Sequence, residues 1–290
     1  MADSVEASAD NLRSLTLTHR RSPQFSVVVS FTILAAFVAC AIFGPLLPLP
    51  DPYAQRLIDS LQGPSTEHWL GTDQLGRDIL ARIVAGSRYS LIIGLGAIGV
   101  GAALGVPSGM LAGFRGGWLD ALVTRVVDVF LAFPGIILAL VIVAILGPGL
   151  FGLVLAVGLR SFPVFARVAR AETLSLRERE FVQGATALGS SAERILARHV
   201  FPNLASAVTV IASLQMATAI LIGATLTFLG VGLSPEVPEW GAMMNAARPY
   251  MLRAPHLIVI PGLALMVVML ALNLVGDWLR DRSDPFSAPT

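Results

Sequence analysis

Residues 25–50, 89–114, 129–159, 200–235 and 254–276 contain no Asp, Glu, Lys or Arg. Nothing else in the chain constrains its fold as strongly, because about 20 apolar residues in a helix cross a bilayer. Only 13% of the 290 residues are charged and 55% are hydrophobic, where a soluble domain of this length carries about a quarter charged. Mean hydropathy is +0.75. The chain therefore reads as an all-α integral membrane protein.

The run 129–159 is too long for one crossing and contains Gly147-Pro148-Gly149, a turn signal. Splitting it there gives six transmembrane helices, at about 25–50, 89–114, 122–146, 150–169, 204–229 and 254–276. The first follows a polar tail and has no small-residue cleavage site, so it is expected to stay as an anchor. Arginine marks the cytoplasmic side. With the N-terminus inside, Arg13, Arg20, Arg21, Arg115, Arg125, Arg167, Arg170, Arg177, Arg179, Arg194, Arg198, Arg280 and Arg282 face the cytoplasm, against Arg56, Arg77, Arg82, Arg88, Arg248 and Arg253 outside. The topology is N-in, C-in. It divides the chain into a cytoplasmic tail (1–24), the first helix (25–50), an extracytoplasmic segment (51–88), a core with five helices (89–279) containing a cytoplasmic loop at 175–203, and a cytoplasmic tail (280–290). Residues 77–89 alternate as a surface helix would. Pro134, Pro163 and Pro261 fall inside crossings and are expected to kink them.

The cytoplasmic loop is helical in pattern. Ser175 and Glu178, and again Ser190 and Glu193, have capping-box spacing. Phe181, Ala185 and Leu188 share one helical face, Gly189 is placed to close the helix, and Pro202 ends the pattern. A short helix with an apolar stripe, outside the membrane and without a soluble core, needs a partner surface. A merely solvated loop is the alternative.

Other chemistry is sparse. All basic residues are Arg, so the Gly-x-x-x-x-Gly-Lys phosphate loop is impossible and the chain is not expected to hydrolyse ATP. The four His are scattered and Cys40 stands alone, so no metal site or disulfide framework is expected. The methionines, Met216, Met243, Met244, Met266 and Met269 among them, read as packing.

The loop resembles the EAA loop of ABC-importer permeases. Gln183-Gly184-Ala185 stands at Glu-Ala-Ala, and Gly189, His199, Phe201 and Pro202 stand at the motif's Gly, Ile, Leu and Pro. The spacing is intact, and the exchanges bear only on contacts that need the first carboxylate. GTDQLGRDILARIVAGSRYSL (71–91), LSLREREFV (174–182), FLGVGLSPEVPEWGAMM (228–244) and NLVGDWLRDRSDP (273–285) resemble signatures of the dipeptide and oligopeptide permease C subunits.

The resemblance implies a type I ABC importer permease in the bacterial plasma (inner) membrane, non-catalytic itself. It would pair with a paralogous B-type permease, with two ATPase domains that bind ATP and Mg2+ on one or two chains, and with an extracytoplasmic binding protein; no nucleic acid is implied. The substrate would be a di- or oligopeptide, with glutathione, nickel or haem as alternatives, and a self-sufficient secondary transporter is the competing class. Glu180, Gln183, Gly184, Ala185, Leu188, Gly189, Ile195, His199, Phe201 and Pro202 would form the ATPase-coupling element. Asp128 and Arg160, the ionisable residues deepest in the apolar runs, are candidates for the translocation pathway; an ion pair with a nearby arginine for Asp128, and an interhelical polar contact for Arg160, are the structural alternatives. Trp69, Asp73, Trp240 and Gly241 are candidates for receiving the binding protein, or, for the tryptophans, interface anchors.

Overall fold

The computed structural model of the chain describes residues 24–283. The expected N-terminal tail and the end of the C-terminal tail lie outside the described residues. These form helices α1 (Gln24–Phe43), α2 (Ile79–Arg115), α3 (Gly117–Ala132), α4 (Gly135–Leu146), α5 (Leu150–Arg177), α6 (Glu180–Ala187), α7 (Ala192–Ile195), α8 (Phe201–Phe228), α9 (Trp240–Ala247) and α10 (His256–Ser283). Among the described residues there is no β-sheet, only an isolated bridge between Thr72 and Asp78.

Five helical segments are long and apolar enough to cross a membrane, and α3 with α4 makes a sixth, bent by 96° at residues 133–134. This corrects the straight helix expected over 122–146. Pro134 is the cause: it stands at the N-cap of α4, not inside a helix, and its ring and missing N–H end the preceding turn. Pro163 and Pro261 do lie inside α5 and α10.

The central pair is α2 against α5. Gly101, Gly105, Gly109 and Gly113 recur every fourth residue and so lie on one face of α2. A Cβ on Gly105 would come within 2.6 Å of the Phe165 Cβ, one on Gly113 within 2.7 Å of the Arg170 carbonyl, and one on Gly109 would fall on the Ala166 carbonyl. Hydrocarbon supplies no hydrophobic drive between helices, so close backbone approach of this kind is what holds them. Around the pair, α8 and α10 close the bundle. α1 packs on α2 and α10 but leaves most of its surface open, as a lipid-facing helix does.

α2 has 37 residues, about 55 Å of helix, which is far more than the apolar thickness of about 30 Å. Its first turns therefore stand in an outer cap with residues 51–78 and 231–255. Of residues 77–89, expected as a surface helix, 79–89 are the outer end of α2 with Asp78 as its N-cap, and all but exposed Arg88 are buried or half-buried. Arg82 is 1% exposed. Its guanidinium donates to the carbonyls of Pro52 (3.1 Å), Pro235 (3.3 Å), Glu236 (3.4 Å) and Val237 (3.4 Å), joining both cap loops. Asp73 lies beneath it, accepting from Arg77 Nε at 2.6 Å with Arg82 Nε at 3.6 Å.

The seam makes a paired prediction. Gly109→Ala places a methyl on the Ala166 carbonyl and is expected to cost about 1–3 kcal/mol. Gly99→Ala, where nothing lies within 4 Å, is expected to be neutral or slightly stabilising. Thermal unfolding of the two variants in detergent checks this; equal midpoints would remove the seam's special status.

Candidate functional site

The cytoplasmic loop is a rigid elbow. α5 continues through Ser175, so the first expected capping box does not form; Arg179 is the N-cap of α6 and makes no side-chain cap. The second cap forms one residue late, Ser191 Oγ accepting from the Arg194 N–H. α6 closes as a Schellman motif, with Gly189 N–H to Thr186 carbonyl at 3.0 Å and Ser190 N–H to Ala185 carbonyl at 3.1 Å. Gly189 has φ +78°, a conformation that favours glycine. Leu196–Val200 is wound as a π-helical turn that runs straight into α8.

The elbow has two apolar faces. Val182, Ile195, Leu196 and Val200 are buried with Val106, Met110, Phe165 and Ala169 at the inner ends of α2 and α5, and half-buried Ala185 packs against them. Phe181 and Leu188 point outward; Leu188 is 88% exposed and Phe181 45%. The stripe expected from Phe181, Ala185 and Leu188 is thus divided, Ala185 inward and the other two outward. Glu180, Gln183, Gly184, Gly189, Phe201 and Pro202 are exposed, and Ile195 is an internal anchor. His199 is half-buried with its ring 6.2 Å from Phe181. The stripe that the sequence continues through Ala192, Ile195, Leu196 and His199 is buried at Ile195 and Leu196, whereas the sequence reading missed Val182 and Val200. It also missed two braces: Arg177 Nη1 donates to the Phe114 carbonyl at 3.4 Å, and Arg170 grips the Asp120 carboxylate with two bonds, one of them 2.7 Å.

On the outer side, Trp69 is exposed, but Asp73, Trp240 and Gly241 are interior, which corrects their expected place on a receiving surface. Trp240 donates its Nε1–H to the Ile83 carbonyl at 3.1 Å, and Gly241 packs on the Ala224 backbone. Glu239, 1% exposed, caps α9 by accepting from the Ala242 N–H at 2.9 Å. Burial pushes its carboxyl above the ordinary range, opposed by hydrogen bonds from the Gly241 and Ala242 N–H groups and from Thr227.

Within the apolar span, Asp128 pairs with Arg167 at 3.0 Å, both partners more than half exposed. Arg160 has no hydrogen bond or ion pair among the described residues, and its Nε is buried without a partner. A cleft of about 270 Å³ runs along the same α3–α5 seam, lined by Val123, Thr124, Val127, Ala166, Arg167 and Arg170. No group of three or more His, Cys, Asp or Glu that could hold a metal ion occurs among the described residues.

The model of the binding-protein-dependent transport system inner membrane component family matches residues 105–287. The dipeptide transport system permease protein DppC of Alkalihalophilus pseudofirmus is 43% identical over 258 residues, covering 89% of this chain and 85% of that protein. The glutathione transport system permease protein GsiD of Pectobacterium atrosepticum is 46% identical over 224 residues, covering 77% and 74%. GsiD of Escherichia coli O157:H7 is 43% identical over 267 residues, covering 92% and 88%. Among solved structures, a chain of the inward-facing MetNI methionine ABC transporter superposes with TM-score 0.57 over 71% of this chain and 98% of that chain. At 18% identity this likeness speaks for the fold alone.

Glu239 gives a pH test. Its folded pKa is raised, so its contribution is fully present below the ordinary carboxylate range, about 4.3, and is lost as pH climbs through that range toward the folded value. Glu239→Gln keeps an acceptor for the Ala242 N–H and cannot ionise. Its melting temperature is expected to gain on wild type from pH 4 to 7. Parallel profiles would mean that burial does not control this carboxyl.

Proposed function

The chain belongs to the family of binding-protein-dependent transport system inner membrane components, and from that premise we propose that it is the coupling half-permease of an importer for small peptides. It is a multi-pass inner-membrane permease subunit of an ABC importer. It carries no catalytic site in this reading: ATP and Mg2+ belong to two partner ATPase domains, a paralogous permease completes the pathway, and a binding protein delivers substrate from outside. The substrate class follows from the dipeptide and glutathione permeases at 43–46% identity, both of whose named substrates are small peptides with free carboxylates.

The observation that carries the coupling role is the two-faced elbow: Leu188 at its tip is 88% exposed while Val182 and Ile195 behind it are 1% exposed. An exposed leucine on a closed helix end suits insertion into an apolar groove of an ATPase subunit, with Phe181 and Gly184 beside it and Glu180 and Gln183 at the rim. His199 holds Phe181, and Phe201 and Pro202 fix the exit into α8. ATP binding would draw the ATPase domains together and move the elbow as a body. Because α6 is joined to α5 by two residues and the π turn enters α8 directly, the displacement reaches both crossings without slack. Differential contact of a few kcal/mol between inward- and outward-facing states is enough to shift such an equilibrium. On the opposite face, exposed Trp69, Ile58 and Leu252 offer apolar side chains to the binding protein, while Asp73, Trp240 and Gly241 hold the cap from within.

Leu188→Glu tests the coupling role. The side chain is open, so the variant is expected to fold and to assemble with its permease partner. In proteoliposomes its ATP hydrolysis should lose most of its stimulation by loaded binding protein, by roughly tenfold for about 1.4 kcal/mol of lost docking. Full stimulation in Leu188→Glu would place the ATPase contact elsewhere.

A further inference from the structure

Arg160 lies ten residues into α5, about 15 Å below its outer end, where α3 gives way to α4. A Cβ on Gly135, the first residue of α4, would come within 2.5 Å of the Arg160 Nε. The guanidinium therefore lies directly against the break. Arg167 and Arg170, its neighbours on α5, are each tied to a carboxylate of α3, Asp128 and Asp120. Arg160 is tied to none among the described residues.

Two independent costs meet at this point. An unpaired guanidinium in hydrocarbon is expensive and in membrane proteins faces a bundle interior or a water-filled cavity. Backbone freed from a helix at membrane depth is tolerated only where it is buried in protein or lines such a cavity. The break at residues 133–134 leaves Phe133 and Pro134 exposed on this chain. Both costs are lifted if this junction borders the aqueous pathway; further along the same α3–α5 seam, a cleft opens between Val123, Val127, Ala166 and Arg170.

We propose that Arg160, presented at the α3–α4 break, is the pathway residue that receives the carboxylate of the transported peptide. The proposal rests on the small-peptide reading above. A planar guanidinium matches a carboxylate with two parallel hydrogen bonds, and the acids nearest on α3 do not compete, because each is held by another arginine. A single unneutralised cation supplies transient recognition: strong enough to admit an anion, and without a second partner to trap it. Gly135 leaves room for the guanidinium to lie flat against the break. Asp128, ion-paired with Arg167, braces the inner half of the seam and takes no part in recognition.

The test uses the whole transporter in proteoliposomes, with radiolabelled alanyl-alanine as the probe, and compares wild type, Arg160→Lys and Arg160→Gln. Recovery of the complex with its partners monitors folding. Arg160→Gln is expected to lower alanyl-alanine uptake per ATP hydrolysed by about 10–100-fold, the loss of one charge-assisted hydrogen-bonded contact, and Arg160→Lys to restore a good part of it. The alanyl-alanine C-terminal amide, normalised to its own binding-protein affinity, should be carried no better by wild type than by Arg160→Gln. Unchanged uptake of the free acid in Arg160→Gln overturns the proposal, as does equal loss of acid and amide or a loss confined to complex recovery. A wild-type complex that hydrolyses ATP and imports no peptide overturns the small-peptide reading, and this proposal with it.

Discussion

Everything in this molecule is hung on the glycine seam between α2 and α5. Four glycines at four-residue spacing let the two backbones touch over about 18 Å, from Gly101 beside Ser161 to Gly113 beside Thr173. Attraction between apolar surfaces is weak when the solvent is itself apolar, so contact distance does the work that burial does in water. Once the pair is fixed, the inner ends of α2 and α5 present one surface, on which Val182, Ile195 and Val200 can be buried. The outer end of α2 is similarly fixed under the cap, where Gly86 admits Trp240 and the Pro238 carbonyl.

Arginine finishes both ends of this unit by the same chemistry. Arg82 satisfies four carbonyls of irregular outer loops, and Arg177 reaches the Phe114 carbonyl at the inner end of α2. A guanidinium has five donors in a fixed plane and no acceptor. It is thus suited to gathering carbonyls left open where helices stop. Removing a buried charge of the Arg82 kind would strand those carbonyls and the Asp73 carboxylate together, which is why such groups are costly to delete even when their net contribution is small.

The crossings were legible because the bilayer imposes a length and forbids charge, and both constraints can be counted along a sequence. The Gly147-Pro148-Gly149 turn was legible for a similar local reason. The capping pattern at Ser175 misled because a capping box describes a helix that begins there, whereas α5 arrives already wound and carries through. Pro134 was seen only as a kink, since a charge-free run gives no sign that its two halves diverge by 96°. Asp73, Trp240 and Gly241 were placed on the surface because polar and aromatic residues in an outer loop resemble a rim; their burial depends on α2 rising into the cap, which no local pattern reports. The four glycines were visible throughout and passed over. Of the cytoplasmic loop, the motif residues were found by spacing, but Val182 and Val200, which are buried against α2 and α5, are ordinary valines whose role exists only against those helices.

These features make α5 the common element of both proposed sites. Its inner end carries the elbow through two linking residues, its middle carries Arg160 at the broken crossing, and its whole length is bound to α2 at van der Waals distance. A helix so tightly seated does not bend to transmit a movement; it shifts with its partner as one body. α3 is attached to the inner half of α5 by the Asp120–Arg170 and Asp128–Arg167 pairs, and α4 to the outer half by Ala139 and Val143 against Leu153 and Ala156. Between those two attachments lies the two-residue junction at Phe133 and Pro134, where the crossing turns by 96°. It lies beside the one guanidinium on this seam that no carboxylate of the described residues holds. On the proposed reading, substrate recognition falls there for a structural reason: the break is where attachment to α5 passes from the ion-paired α3 to the apolar α4, leaving Arg160 with neither.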